Sequence, residues 1–297
     1  LMMVGTDDQK ERWLKPIVDG RVRSSFVMTE PHPGSGSDPA GMMLTKAEKK
    51  GNSWVIKGRK WFITGAGVAE HFIIIARTSD DPRNGLSAFI FHRDQPGWRI
   101  TRKIPIMGPE EHGGHCELEF DGLEIPERDV LMNIGDGMRA TQIRLGPARL
   151  THCMRWLGMS RRAMDIAADY VRVRKSFGDV LADHEGVQWI LGDAAMDIHM
   201  GRLATMFAAW KLDQGGRARK EISMAKVQVA DTLNRVVDSC IQLCGAKGYS
   251  QDTLLEWMYR YARQAKLVDG ASEVHKMVLS RLYMKEGQDF WSWDASD

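Results

Sequence analysis

An acid set between apolar residues and a glycine, Val268-Asp269-Gly270, stands just ahead of a helix start at Ala271-Ser272-Glu273. An apolar, water-poor setting raises a carboxylate's pKa and makes it a general base, and the backbone N–H groups beside it are exposed toward a ligand. The alternative for Asp269 is a helix N-cap, and one residue at a helix start can serve both roles. A second stretch, F-V-M-T-E-P-H-P-G-S-G-S-D-P-A-G from Phe26 to Gly41, ends a short apolar run in Gly, Pro and Ser. Such a loop offers many backbone N–H groups with little bulk, a place to hold a ligand. It lacks the Gly-Lys-Ser/Thr ending of a P-loop, and no G-x-G-x-x-G opens a helix here. His112, His115 and Cys116 look like metal ligands, but Gly113-Gly114 lies between them and no fourth donor follows, so a turn before a strand is expected and no metal.

These groups need a scaffold, and 297 residues suffice for two domains. Lys plus Arg is 41 against 39 for Asp plus Glu, a formal +2, with no basic run to bind nucleic acid. Cys116, Cys153, Cys240 and Cys244 have neither disulfide nor zinc spacing, which points to buried thiols in a reducing compartment. No apolar run approaches the roughly 20 residues of a membrane span, and nothing at the start resembles a signal peptide. The reading is a soluble protein.

Thr6-Asp7-Asp8-Gln9 fits a capping box before a helix that Pro16 and Gly20 should interrupt. From Arg21 to about Val130 short apolar alternations predict an antiparallel β-sandwich or barrel. Within it, Lys57-Gly58-Arg59 reads as a hairpin loop between Asn52–Ile56 and Lys60–Thr64. After Gly137 the period becomes helical. Ile222, Ala225, Val229, Leu233, Val236, Cys240 and Leu243 form one stripe; Leu150, Met154, Leu157, Met164, Ala168 and Val171 form another, interrupted by Arg161. Val187 to about Gln214 is a further helix, and Thr253-Leu254-Leu255-Glu256 a second capping box. The expected domains are 1–20, a remnant of an N-terminal helical domain; 21–132, β; and 133–297, a four-helix bundle.

The strings M-T-E-P…G-S-D, W-F-I-T, R-K-S-F-G, Q-L-C-G-A-K-G-Y and D-G-A-S-E, in this order, resemble the acyl-CoA dehydrogenase family of flavoenzymes over nearly the whole chain, without most of the family's first domain. The resemblance implies FAD as cofactor. Phe26, Met28 and Thr29 would lie along it, Thr29 bonding the isoalloxazine edge. Gly36 and Ser37 would touch the diphosphate or ribityl region, Ser37 also the CoA chain, and Thr64 would bond near flavin N5. Phe62 occupies the place where many members have a Trp on the ring; for Trp61, strand core is preferred. Arg174, Ser176, Phe177 and nearby His184 would meet the diphosphate and adenine of an FAD in a neighbouring subunit, and Gln242 and Gly245 would close over it. Arg174 could alternatively complement a helix dipole.

Asp269 matches the base, often Glu followed by Gly, with Gly270 beside it. Ala271, in place of the usual Thr, and Glu273 would face the flavin, and Arg149 the substrate. Gly146 stands where several members carry an acid, and Pro33 lengthens the T-E-P loop. The implied reaction is FAD-dependent desaturation of an acyl-CoA to a 2,3-enoyl-CoA, as in fatty-acid β-oxidation. Electrons would pass to an electron-transferring flavoprotein, in a homodimer or homotetramer. The cytoplasm is implied for a bacterial chain and the mitochondrial matrix for a eukaryotic one. The rivals are an acyl-CoA oxidase and a non-catalytic flavin-binding or DNA-associated member of the fold.

Overall fold

In the computed structural model of the protein, residues 1–108, 110 and 112–293 are described; the last four residues of the expected helical domain lie outside them. The chain forms two compact units, Leu1–Ile106 with Glu110–Arg144, and Met107–Pro109 with Leu145–Asp297.

The first unit opens with α1 (Asp7–Gln9), a π-helical turn (Lys10–Leu14) and α2 (Lys15–Val18). The capping box forms: Gln9 N donates to Thr6 Oγ1 and Thr6 N to Gln9 Oε1, both at 3.2 Å. Pro16 does not interrupt the helix, contrary to expectation. It follows directly on the π turn, whose wider winding leaves room for a ring that would otherwise strike the preceding turn. The buried Gln9 carboxamide donates to Arg128 O and Val130 O, and Trp13 Nε1 and Arg12 both reach the Asp129 carboxylate. These bonds tie the helix to the sheet.

Eight strands make that sheet: β1 (Ser24–Val27), β2 (Lys46–Lys50), β3 (Ser53–Thr64), β4 (His71–Arg77), β5 (Leu86–His92), β6 (Trp98–Lys103), β7 (His115–Pro126) and β8 (Val130–Leu131), with α3 (Pro39–Met42) between β1 and β2. Their order is β6-β7-β3-β2-β4-β5-β8, with β1 beside β4. Of the expected antiparallel sandwich or barrel, the sandwich-like alternative is the one that forms, with one departure in strand direction. β1 runs parallel to β4, Ser24 facing His71, because a long crossover through α3, β2 and β3 joins them instead of a hairpin. Among the described residues no pair joins β6 to β8, so the sheet is open and sandwich-like. The core stacks Phe72 on Phe91 at 4.8 Å, with Trp98 edge-on to both.

The expected hairpin at Lys57-Gly58-Arg59 is also corrected: β3 runs unbroken from Ser53 to Thr64 and the hairpin is β2–β3. The register against β7 shifts after Ile56, where Gly122 of β7 is the unpaired extra residue, and Gly58 itself pairs with Phe120. At φ +148 its hydrogen lies where a Cβ would fall 2.5 Å from Thr45 Oγ1, so glycine is needed for close approach.

Helices dominate the second unit. α4 (Gly137–Val173), which begins in the first unit, is followed by a hairpin of β9 (Lys175–Ser176) and β10 (Asp179–Val180), then α5 (Glu185–Asp213), α6 (Arg219–Cys244), α7 (Ala246–Tyr249), α8 (Leu255–Ala262) and α9 (Ser272–Glu286). All seven apolar residues expected on the α6 stripe are buried. On α4 the buried face is Leu150, Cys153, Trp156, Leu157, Ala163, Ala167 and Val171, while Met154 is exposed and Ala168 only half-buried. The sequence reading of that helix was therefore out of phase by one residue at two places. The second capping box does not form. Leu254 caps α8 without a side-chain bond, and Thr253 Oγ1 accepts instead from Leu255 N, a turn that competes with the cap.

All four cysteines are buried and free, Cys116 in the sheet unit and the others in the helical one. Burial pushes the Cys153 and Cys240 thiols up to about 12.

Candidate active site

Both units carry candidate residues. In the sheet unit the loop after β1 is built around a buried ion pair. Lys60 Nζ donates to Glu30 Oε1 at 3.0 Å and to Met28 O at 2.7 Å, and neither side chain is more than 2% exposed. Glu30 also accepts from the backbone N–H of Ser35, Leu44 and Thr45. Burial would raise its carboxyl, but the Lys60 charge and these donors hold it below the usual value. Burial pulls Lys60 down to about 8 against the opposing pull of Glu30. Thr29, Gly36 and Ser37 are thus displayed on a loop whose turn is locked from beneath.

Thr29 Oγ1 donates to Trp61 O at 2.6 Å, and Trp61 N returns a bond to Thr29 O, so the hydroxyl is left as an acceptor. Thr64 Oγ1 sits 2.9 Å from His115 Nδ1. Between them Phe62 adopts φ +52 where the β3–β7 register slips, and its ring stands 44% exposed, edge-on to Trp61 at 5.0 Å. A strained backbone that turns an aromatic ring outward is a feature of ligand sites. Phe26 lies beneath the Arg144 guanidinium at 5.3 Å, and Met28, two residues on, is half-buried. Among the described residues the buried Ser35 hydroxyl has no hydrogen-bond partner. An exposed aromatic ring beside a hydroxyl left as an acceptor suits a flat, hydrogen-bonding aromatic ligand, so these residues fit a flavin.

The helical unit centres on Asp269. Its φ is +51, a left-handed conformation that Asp tolerates better than most residues. Donors converge on this turn. Arg149 Nε donates to Asp269 O at 2.9 Å, His275 Nε2 to the same oxygen at 3.3 Å, and Lys226 Nζ to Gly270 O at 2.8 Å. Because a carbonyl can only accept, His275 Nε2 carries the hydrogen; Nδ1 then accepts from Ser223 Oγ at 3.1 Å. Burial, aided by the Arg149 and Lys226 charges, pulls His275 down to about 4, so it is neutral near pH 7. Burial likewise pulls Lys226 down to about 8. The Asp269 carboxylate meets His152 Nε2 at 3.0 Å. A Cβ on Gly270, at φ +97, would lie 3.0 Å from His275 Nε2.

The N-cap alternative for Asp269 is overturned, because α9 is capped by Ala271 without a side-chain bond. Asp269 stands outside the helix. Glu273 is exposed in the first turn of α9.

Two further groups of candidates lie elsewhere in the helical unit. Arg174 is exposed where α4 passes into β9, and His184 Nε2 lies 3.2 Å from Ser176 O. Phe177 is 98% exposed at φ +52 in the β9–β10 turn. Gln242 is exposed at the end of α6, where Gly245 at φ +55 closes the helix by donating to Gln242 O.

Sequence reasoning missed His152, His275, Lys226 and the Glu30–Lys60 pair. Signals existed for two of them. Lys226 falls four residues after Ile222, on the apolar stripe itself, and His275 lies on the first turn of the helix that Asp269 precedes.

Comparison with known proteins accords with this arrangement. Residues 25–123 match the model of the acyl-CoA dehydrogenase middle domain and residues 135–284 that of the C-terminal domain. Acyl-CoA dehydrogenase family member 11 of Gallus gallus is 37% identical over 95% of this chain, which spans 37% of that protein's length. The Mycobacterium tuberculosis protein named probable acyl-CoA dehydrogenase FadE2 is 36% identical over 95% of this chain and 70% of its own. Butyryl-CoA dehydrogenase of Megasphaera elsdenii superposes with a TM-score of 0.89 at 28% identity, over 95% of this chain and 73% of that one. A mixed sheet unit and a helical unit of this kind make up the acyl-CoA dehydrogenase fold, and the chain belongs to the acyl-CoA dehydrogenase family.

Proposed function

We propose that the chain carries the flavin-binding and base-bearing parts of an FAD-dependent acyl-CoA dehydrogenase that forms a 2,3-enoyl-CoA. The observation that carries this reading is the Asp269 turn, a carboxylate on a backbone clamped by Arg149, His275 and Lys226. Asp269 takes the proton from the α-carbon as a carboxylate base. Bound FAD supplies the acceptor for the hydride that leaves the β-carbon as the double bond forms. The Asp269 N–H polarises the thioester carbonyl, so that charge developing on its oxygen meets a fixed donor. In the sheet unit, Phe26, Met28, Thr29, Phe62 and Thr64 hold the isoalloxazine, and Gly36 and Ser37 the ribityl or diphosphate region.

In the helical unit, Ala271 and Glu273 lie toward the flavin and Arg149 serves the substrate side. Arg174, Ser176, Phe177, His184, Gln242 and Gly245 serve an FAD shared between copies of the chain, as a homodimer or homotetramer. In terms of the family's domains, 1–20 would be the remnant of the first, 21–132 the β domain and 133–297 the helical domain. An electron-transferring flavoprotein reoxidises the enzyme, in the bacterial cytoplasm or the mitochondrial matrix, in fatty-acid β-oxidation. Among the described residues no helix is long and apolar enough to cross a membrane.

Anaerobic titration of the FAD-loaded protein with a panel of acyl-CoAs tests the reaction. Flavin absorbance should bleach with at least one thioester, and Asp269→Asn should slow that bleaching by about a thousandfold or more. Retained FAD with no bleaching by any thioester sinks the dehydrogenase reading. Peroxide release in air would instead select the oxidase.

A further inference from the structure

The stretch His112-Gly113-Gly114-His115-Cys116, whose spacing imitates a metal site, is still without a role. Among the described residues no group of three His, Cys, Asp or Glu could hold a metal ion. The backbone of the stretch instead fastens the end of β3: Gly65 N donates to Gly114 O at 2.8 Å and Gly67 N to Gly113 O at 3.0 Å, while Ile104 N donates to His115 O at 2.7 Å. This brings His115 opposite Thr64 in the β3–β7 pair. Thr64 is exposed and His115 only 8% so, with Nδ1 2.9 Å from the Thr64 hydroxyl and the imidazole 6.1 Å from the Phe62 ring. One buried imidazole thus backs both a ring and a hydroxyl that the sheet unit offers to a flat ligand.

We propose that His115 is a positioning residue of the flavin site: it anchors the Thr64 hydroxyl, and its freedom to carry the ring hydrogen on either nitrogen lets that hydroxyl meet the ligand as donor or as acceptor. The inference rests on the reading of the sheet unit as a flavin site.

The freedom follows from the partners. A hydroxyl has one hydrogen and two lone pairs, and a ring nitrogen of neutral imidazole donates or accepts according to tautomer. With the hydrogen on Nδ1, His115 donates to Thr64 Oγ1 and the hydroxyl hydrogen is released toward the ligand. With it on Nε2, Nδ1 accepts the hydroxyl hydrogen and Oγ1 is left to accept. His275 has no such choice, because a carbonyl at Nε2 fixes its tautomer, and Thr29 has committed its hydrogen to Trp61 O. Among the described residues Nε2 of His115 has no hydrogen-bond partner, so the chain does not select for it. Thr64 O is held by Ser25 Oγ at 2.7 Å, and the hydrogens can therefore turn without movement of the backbone. Exchange of tautomer takes a proton from one ring nitrogen and returns one to the other through water, with no net transfer. A flavin nitrogen that accepts a hydrogen bond when oxidised and donates one when reduced finds a matching partner in either state.

Long-range proton–nitrogen spectra of the FAD-loaded full chain read the tautomer directly. His115 should be the Nδ1–H form with oxidised FAD and the Nε2–H form after reduction by dithionite under argon. Variants read the anchor. His115→Asn sets an amide where Nδ1 stands and can turn either end to Thr64; His115→Gln carries the amide one atom beyond, and His115→Leu removes the contact. His115→Leu and His115→Gln should weaken binding of oxidised and reduced FAD alike by about five- to tenfold, the worth of one hydrogen bond, and His115→Asn should stay within about twofold of the parent. Equal weakening leaves the midpoint potential of the bound flavin at the parent value, whereas a histidine fixed in one tautomer would weaken one oxidation state alone.

Should His115→Leu fail to fold, the contrast between His115→Asn and His115→Gln decides. Parent affinity in all three variants, or an equal loss in all three, overturns the role. If the parent chain binds no FAD, the reading of the sheet unit falls and this role with it; if it binds FAD and His115 keeps one tautomer through reduction, this role alone falls.

Discussion

Both candidate loops rest on a buried lysine, and the two lysines are used differently. In the sheet unit Lys60 faces a carboxylate: Glu30 balances its charge, and three backbone N–H groups complete the acid's bonds. In the helical unit Lys226 donates to a carbonyl, Gly270 O, and the carboxylate of the neighbouring residue lies 3.0 Å from the His152 imidazole. The first arrangement is a closed ion pair that locks a ligand loop from below. The second directs its cationic side chains at backbone carbonyls, Arg149 at Asp269 O and Lys226 at Gly270 O, and leaves the carboxylate outside any closed ion pair with a lysine. Under the proposed function, the first loop holds the cofactor with its own charges paired, and the second presents the base.

Breaking each arrangement should expose that difference. Lys60→Met strands the Glu30 carboxylate in the core and should cost about 3–5 kcal/mol in urea unfolding, with weakened FAD binding. Lys60→Met with Glu30→Gln should recover part of that loss; an equal cost for the single and the double variant would show that the pair is not a closed unit.

The next effect belongs to His275. Its pKa is lowered from 6.5 to about 4, so the unfolded chain takes up the proton first as pH falls. The associated stability is complete above pH 6.5 and is lost toward pH 4, by ~3 kcal/mol at most. His275→Gln should flatten that acid limb of the unfolding free energy, and an unchanged limb would assign it to other groups.

Smallest is Lys226→Met, which strands a carbonyl and not a carboxylate. Loss of one hydrogen bond, offset by removal of a buried cation, should leave stability near pH 7 within about 1–2 kcal/mol of the parent. A cost matching that of Lys60→Met would erase the distinction between the loops.

Periodicity carried much of the fold because it is a local signal. The α6 stripe was legible since seven apolar residues follow the helical repeat without interruption. Lys57-Gly58-Arg59 misled because glycine between polar residues reads as a turn, while its actual role, giving passage to Thr45 just ahead of β2, depends on a contact the local sequence does not display. The direction of β1 was hidden for the same reason, since pairing with β4 is decided by a crossover. In the candidate site, loop and acid were legible as motifs. The groups beside them were not: His152 is 117 residues from Asp269 in the chain (269 − 152), and Lys60 is 30 from Glu30. Lys226 was overlooked because a lysine within an apolar helix is ordinarily read as a long side chain reaching out to water.

The four buried thiols carry a consequence for how the protein comes apart. The thiolate is the reacting form, and burial raises all four thiols above their ordinary value, Cys153 and Cys240 to about 12. In the closed chain an alkylating reagent therefore meets almost no nucleophile. Labelling has to wait for an opening, so its rate counts openings and not surface chemistry. Since Cys116 belongs to the sheet unit and Cys153, Cys240 and Cys244 to the helical one, each half of the molecule carries its own clock.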